Sequence, residues 1–332
     1  ASIAGAMIVG GVIAMIVGIF VKKIRKLFPP VITGTVVFTI GLSLYPTAIH
    51  YMAGGSGAQD FGSPRHWFLA IVTLIIVTVF NYFTKGICKL ASILIGIAAG
   101  YIIALVMGMV SFDGVGSAGW FQFSMPLYFS LRFEATSIIS MAIMYVVGSL
   151  EIMGDFTSTA GGGLNREVTE REMCGGIAGN GIISIIGAFL GGLPTATFSQ
   201  NVGIVIMNKV VNRFVLGLAA IIIIVAGLIP NFASLLSTIP SSVLGGATVS
   251  VFAMIAMTGI KLVAKESLNT RNTAIVGLSV ALGTGVSQTA GCFDLFPGWA
   301  QTILGTSPVV VATITSVILN LTLPRNMDGE EE

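Results

Sequence analysis

Apolar residues in this chain come in long runs, separated by short polar, glycine-rich or proline-rich stretches. Several runs reach the roughly 20 residues that a helix needs to cross a hydrocarbon core. They predict helices over Ser2–Val21, Pro30–Ile49, Trp67–Phe83, Leu90–Met109, Ala135–Met153 and Gly175–Leu190. Further runs predict helices over Phe214–Ile229, Ser241–Ile260, Asn272–Thr289 and Pro308–Leu323. Between the sixth and seventh of these lies a shorter, broken segment at Phe198–Asn208. Together they predict eleven crossings.

Composition removes the competing classes. Of 332 residues, 55% are hydrophobic and only 9% are charged. A soluble domain carries about 25% charge, so this chain has too little to coat a water-facing surface. A net charge of +2 supplies no basic patch for nucleic acid. Cys88, Cys174 and Cys292 have neither the pairing of a disulfide scaffold nor metal-ligand spacing, so no metal is expected. The glycine runs at Gly54–Gly57 and Gly161–Gly163 read as flexible loops, without the context of a phosphate site. A polytopic membrane protein is expected, and not an enzyme.

Of 16 Lys and Arg residues, all but Arg65 and Arg132 fall on alternate loops, and the positive-inside rule makes that side cytoplasmic. The last residues, 326–332, are then a solvated acidic cytoplasmic tail. The first run is followed, not preceded, by the basic cluster Lys22, Lys23, Arg25 and Lys26. It reads as an internal helix running inward rather than a signal peptide, which implies preceding spans.

Two features are polar where lipid would surround them. Glu151 and Asp155, four residues apart, share one face of the fifth predicted helix. A carboxylate at the bilayer centre costs about 2.5–3.5 kcal/mol on insertion scales, so such residues face internal cavities and mark ion or substrate paths. The alternative is a pair at a cytoplasmic helix end. Downstream, Gly191-Gly192-Leu193-Pro194 breaks a helix, Thr195–Ser199 is extended in character, and Gln200-Asn201-Val202-Gly203 starts a helix too short to span. Irregular backbone at membrane depth survives only where it lines a cavity or is buried in protein, and a half-helix there aims its free N–H groups inward. The alternative is a structural kink with Gln200 and Asn201 tying helices together. Asn180 reads as interhelical glue, and His50 and His66 as solvated loop residues.

Pro29 with Gly34, and Pro240 with Gly245, open two predicted helices at an offset of 211 residues (29 to 240). Seven crossings separate them, an odd number, so the copies enter from opposite faces, as in an inverted-topology repeat. Proline at a helix start is common enough to give the same match by itself.

The stretch Gln200-Asn201-Val202-Gly203 through Asn208-Lys209 resembles the signature of the nucleobase–ascorbate transporter family, the xanthine/uracil permeases. Asn208 departs from the family's usual Thr. Ser149–Thr159 and Leu193–Gln200 are similar to that family's eighth helix and to the entry of its tenth. The resemblance covers the whole chain. It implies an all-α polytopic fold of fourteen segments in two inverted repeats of seven, of which about eleven are present here, with a half-helix and a short extended segment at the site. It also implies a division into residues 1–27 (last helix of the first-repeat core), 28–130 (first-repeat gate), 131–232 (second-repeat core with the site) and 233–325 (second-repeat gate).

By the same resemblance, Glu151 and Gln200 bind the base, Ser199 adds backbone contacts and Phe198 flanks the pocket. Glu151 and Asp155 take part in proton coupling, while Asn180, Asn201 and Gly203 support the site. The pairing of Gln200 with Asp155 is similar to the purine branch. The implied function is proton-coupled import of xanthine or uric acid across the plasma or inner membrane by a homodimer, with no cofactor beyond the proton gradient. A uracil or pyrimidine permease and an anion carrier of the same architecture are the alternatives.

Overall fold

The structure is a computed structural model. It describes residues 2–20, 29–112, 115, 119–123, 125–127, 130–197, 201–202, 205, 210–289, 291–297, 300–301, 304–305 and 307–324. Among these there is no strand. In chain order the helices are α1 (Ser2–Ile19), α2 (Pro30–Met52), α3 (Pro64–Phe83), α4 (Ile87–Leu90), α5 (Ser92–Val106) and α6 (Ala135–Leu164). They continue with α7 (Glu170–Phe189), α8 (Arg213–Gly227), α9 (Pro230–Ser237), α10 (Ser241–Val263), α11 (Thr270–Gln288) and α12 (Pro308–Thr322). By length and composition α1, α2, α3, α6, α7 and α10 can each cross a membrane, and α8 with α9 meets the same requirement only as a pair bent by 82°. The sharp bend follows from Pro230, which cannot continue α8 and instead opens α9.

Three boundaries differ from expectation, each for a local reason. Helix α6 does not stop at Met153 but runs to Leu164, where Asn165 takes a left-handed conformation (φ 53°). Gly154 and Asp155 end the apolar run without ending the helix, because their neighbours still pack. Helix α7 starts at Glu170 rather than Gly175, on a capping box. The Thr169 hydroxyl accepts from the Glu172 N–H and the Glu172 carboxylate accepts from the Thr169 N–H. Arg166 then donates to both oxygens of Glu172, at 2.9 and 2.6 Å. Helix α3 begins at Pro64, bringing His66 into its first turn.

The chain forms two compact packing units. The first comprises Ala1–Ile40, Ser124–Val211 and Ala256–Glu332; the second comprises Gly41–Phe123 and Asn212–Ile255. In the first, α1 crosses α7 backbone to backbone: a Cβ on Gly11 would lie 2.7 Å from the Gly181 carbonyl oxygen. Such small-residue crossings are how helices approach closely in lipid. Ile152, Met153, Met173 and Ile177 form an apolar cluster between α6 and α7, and Val31, Ile32, Val36, Val147, Val263 and Val309 form another. In the second unit Leu69, Ala104 and Val243 are the fully buried centre.

The repeat is visible in the helices themselves. Helices α2 and α10 are both 23 residues long and stand 211 residues apart at each end (30 to 241, 52 to 263). In the first unit, a Cβ on Gly34 would meet the Val263 nitrogen at 2.6 Å. In the second, a Cβ on Gly245 would run into the Met52 nitrogen. The same offset of 211 turns one contact into the other, since Gly34 corresponds to Gly245 and Met52 to Val263. The packing of α3 on α5 likewise recurs as α11 on α12.

His66 corrects an expectation. It is not solvated but 9% exposed. Its ring lies 2.9 Å from an Asp60 carboxylate oxygen and 3.4 Å from the Ser242 hydroxyl at the start of α10. That hydrogen bond is the main reason the Asp60 carboxyl sits below its ordinary range. His50 is exposed, as expected.

Candidate functional site

At 1.5 Å per residue the 30 residues of α6 extend about 45 Å, more than a hydrocarbon core of about 30 Å. Its apolar span covers Ala135–Gly161. Glu151 therefore lies about 5 Å, and Asp155 about 10 Å, beyond the middle of that span. With the helix running on to Leu164, both carboxylates lie inside the apolar span, at least nine residues before the helix ends. On a 100° helical wheel, Gly148, Glu151 and Asp155 occupy one face, opposite the Met153–Phe156–Ala160 face that packs in the protein. A Cβ on Gly148 would meet nothing within 4 Å, so open space adjoins the carboxylate face. Glu151 and Asp155 are both half-buried. Asp155 Oδ2 is buried and has no hydrogen-bond partner among the described residues.

Helix α7 ends in a Schellman motif. Gly191 has φ +76°, the Gly192 N–H bonds the Gly187 carbonyl at 2.7 Å, and the Gly191 N–H bonds that of Ala188 at 3.4 Å. Only glycine takes that φ without strain, and Pro194 prevents the helix from resuming. The chain then turns back along α7 without regular structure over residues 192–197.

Thr195 fixes that return. Its N–H donates to the Ser184 hydroxyl at 3.3 Å and its carbonyl accepts from the Asn180 amide at 3.4 Å. Its hydroxyl lies 3.0 Å from Asn180 Oδ1 and also bonds the Ser184 hydroxyl. One proton arrangement satisfies these bonds: Thr195 O–H donates to Asn180, whose side-chain and backbone oxygens lie at 3.0 and 3.3 Å, and Ser184 O–H donates to Thr195. Asn180 and Ser184 stand about 15 and 21 Å along the 20-residue α7, so Thr195 is held at membrane depth. A backbone group left unsatisfied there would cost several kcal/mol. Tyr145 of α6, whose ring rests on Gly10 of α1, has a buried hydroxyl without a hydrogen-bond partner among the described residues.

The same packing unit thus holds Glu151, Asp155, Asn180 and the start of the broken segment. Asn201 is helical and exposed. Phe198, Ser199, Gln200 and Gly203 lie outside the described residues, as does the acidic tail. Sequence reading missed Ser184, Thr195 and Thr197. The signal for Ser184 was its place one turn beyond Asn180 in an otherwise apolar helix. The Thr197 hydroxyl oxygen is buried without a partner among the described residues.

The helical architecture, internal repeat, intramembrane carboxylates and interrupted helix define a polytopic transporter. The transmembrane domain of a cyanobacterium bicarbonate transporter, BicA, has the same fold: TM-score 0.56, covering 96% of this chain and 76% of that one, at 15% identity. The family model described as Permease family, that of the xanthine/uracil permeases, matches residues 1–291. The chain is 38% identical to a xanthine permease of Bacillus subtilis (strain 168) over 319 residues, covering 96% of this chain and 72% of the relative. It is likewise 38% identical to the uric acid permease PucJ of the same organism, with the same coverage over 327 residues. To the xanthine permease XanQ of Escherichia coli (strain K12) it is 32% identical, covering 97% of this chain and 70% of that one. The chain belongs to the nucleobase–ascorbate transporter family and is a multi-pass membrane protein.

Proposed function

We propose that this protein is a proton-coupled symporter importing a purine nucleobase, xanthine or uric acid, across the cytoplasmic membrane, with its C-terminus inside. The observation that carries the coupling is the pair Glu151 and Asp155 on one face of α6 at membrane depth, beside the open space at Gly148. Carboxylates inside apolar spans mark proton relays and ion paths. The names of the relatives, xanthine permease and uric acid permease, support the purine.

In this reading Glu151 receives ring N–H groups of the base and exchanges the proton with Asp155, while Gln200 meets the base edge with both a donor and an acceptor. Ser199 and Phe198 complete the pocket, and Asn201 and Gly203 shape the half-helix. The energy source is the proton gradient alone, and the working form is a homodimer. Uptake of labelled xanthine and urate by cells expressing the protein, with and without a protonophore and with excess unlabelled uracil, tests this. Gradient-dependent uptake that uracil does not compete away is expected. Uptake indifferent to the protonophore would remove the symport, and full competition by uracil would remove the purine assignment.

A further inference from the structure

We propose that Thr195 is a positioning residue for substrate recognition, seated on Asn180 and Ser184, and that this seat sets the depth and register of the chain that returns along α7 after Pro194. The inference deepens the purine reading above and rests on it.

The geometry separates this seat from an ordinary interhelical tether. Among the described residues, every polar group of Thr195 (N–H, carbonyl and hydroxyl) is bound to Asn180 or Ser184, one helical turn apart. Those residues do for Thr195 what a neighbouring strand does for a residue in a sheet. An extended chain has no internal hydrogen bonds to fix its position, so without the seat it can slide along α7. A slip of one residue moves the following chain about 3.3 Å and exchanges its two faces. Hydrogen bonding to a base tolerates far less, since N–H···O distances fall within about half an ångström of one another.

The flanking elements leave the register to Thr195. Upstream, the Gly191 and Gly192 turn fixes where α7 ends but not how deep the returning chain reaches. Downstream, Asn201 already lies in helix six residues later. Thr195 is the described residue between them with hydrogen bonds to another element. Behind the seat, α7 packs on α6, the helix that carries Glu151, through Ile152, Met153, Met173 and Ile177. The seat is therefore placed to hold the two halves of the proposed pocket at a common depth.

The test compares Thr195→Val, which keeps the shape and removes the hydroxyl, with Thr195→Ser, which keeps the hydroxyl. Ser184→Ala and the double variant Ser184→Ala/Thr195→Val complete the set. Labelled xanthine uptake gives KM and maximal rate for each, and membrane abundance and thermal stability of the purified protein report folding. Thr195→Val should raise KM about tenfold with maximal rate per molecule within about twofold, and Thr195→Ser should restore most of the loss. The double variant should be no worse than the poorer single one, because both changes break one seat.

Unchanged KM in a folded Thr195→Val protein would overturn the proposal, and so would effects that simply add. If Thr195→Val fails to reach the membrane, Ser184→Ala decides alone: a raised KM supports the seat and an unchanged KM overturns it. Absence of purine uptake by the unaltered protein would instead overturn the functional reading beneath it.

Discussion

Replacing Gly245 by alanine puts a Cβ where α10 meets α2. Alanine is the better helix former, so in an unhindered helix the change would stabilise by about 1 kcal/mol. Here the new carbon would press on the Met52 nitrogen, with Tyr51 C and Met52 Cα at 2.7 and 2.9 Å, where ordinary contact begins near 3.4 Å. The obstructing atoms are backbone in a continuous helix, so no side chain can rotate away and the two helices must part. Overpacking of this kind costs about 1–3 kcal/mol and occasionally more, which cancels or exceeds the propensity gain. Gly277→Ala on α11 is the control, because a Cβ there meets nothing within 4 Å. Both variants gain the same propensity, so they should differ by the overpacking cost, roughly 1–3 kcal/mol, or a few degrees in the melting of detergent-solubilised protein followed by size-exclusion chromatography. Gly34→Ala should behave like Gly245→Ala, since the offset of 211 makes its clash with Val263 the same contact. A Gly245→Ala protein melting at or above Gly277→Ala would refute the close packing and the repeat argument built on it.

Other outcomes follow from the polar groups. Thr197→Val removes a buried hydroxyl that has no partner among the described residues, so it should leave the melting temperature of the empty protein unchanged or slightly higher. A fall of several degrees would show a partner in the empty state. Asp60→Asn should lower stability at neutral pH. The His66 bond holds the Asp60 carboxyl below its ordinary 3.8, so its contribution is full above that value and fades as pH falls through the lowered folded one. Melting of the wild type and Asp60→Asn at stepwise lower pH should converge only in acid, and a constant gap would contradict the linkage.

The apolar runs located the membrane helices well because a span has one dominant requirement, continuous apolar length. Where that requirement gave way to local chemistry, the runs misled. Helix α6 continues eleven residues past Met153 through Gly154 and Asp155, since helix continuation depends on packing and capping rather than on hydropathy. The α7 start was written in Thr169-x-x-Glu172, a capping-box spacing that a scan for apolar length passes over. His66 looked solvated because its partners, Asp60 and Ser242, include one 176 residues away. The carboxylate pair on α6 and the break at Gly191–Pro194 were legible, because charge and proline inside apolar surroundings have few explanations. The seat of Thr195 was not, because hydroxyls and amides in apolar helices also serve as ordinary tethers, and only the return of the chain along α7 brings these three together.

The central claim is that Glu151 carries the proton that drives purine uptake. Purified protein in liposomes, with a pH gradient imposed and labelled xanthine outside, measures it most directly when wild type is compared with Glu151→Gln. Wild type should accumulate xanthine above the outside concentration when the exterior is acidic and lose that accumulation when a protonophore collapses the gradient. Glu151→Gln keeps shape and hydrogen-bonding capacity without a titratable group, and should exchange xanthine across the membrane without concentrating it. Gradient-driven accumulation by Glu151→Gln equal to that of wild type would contradict the account.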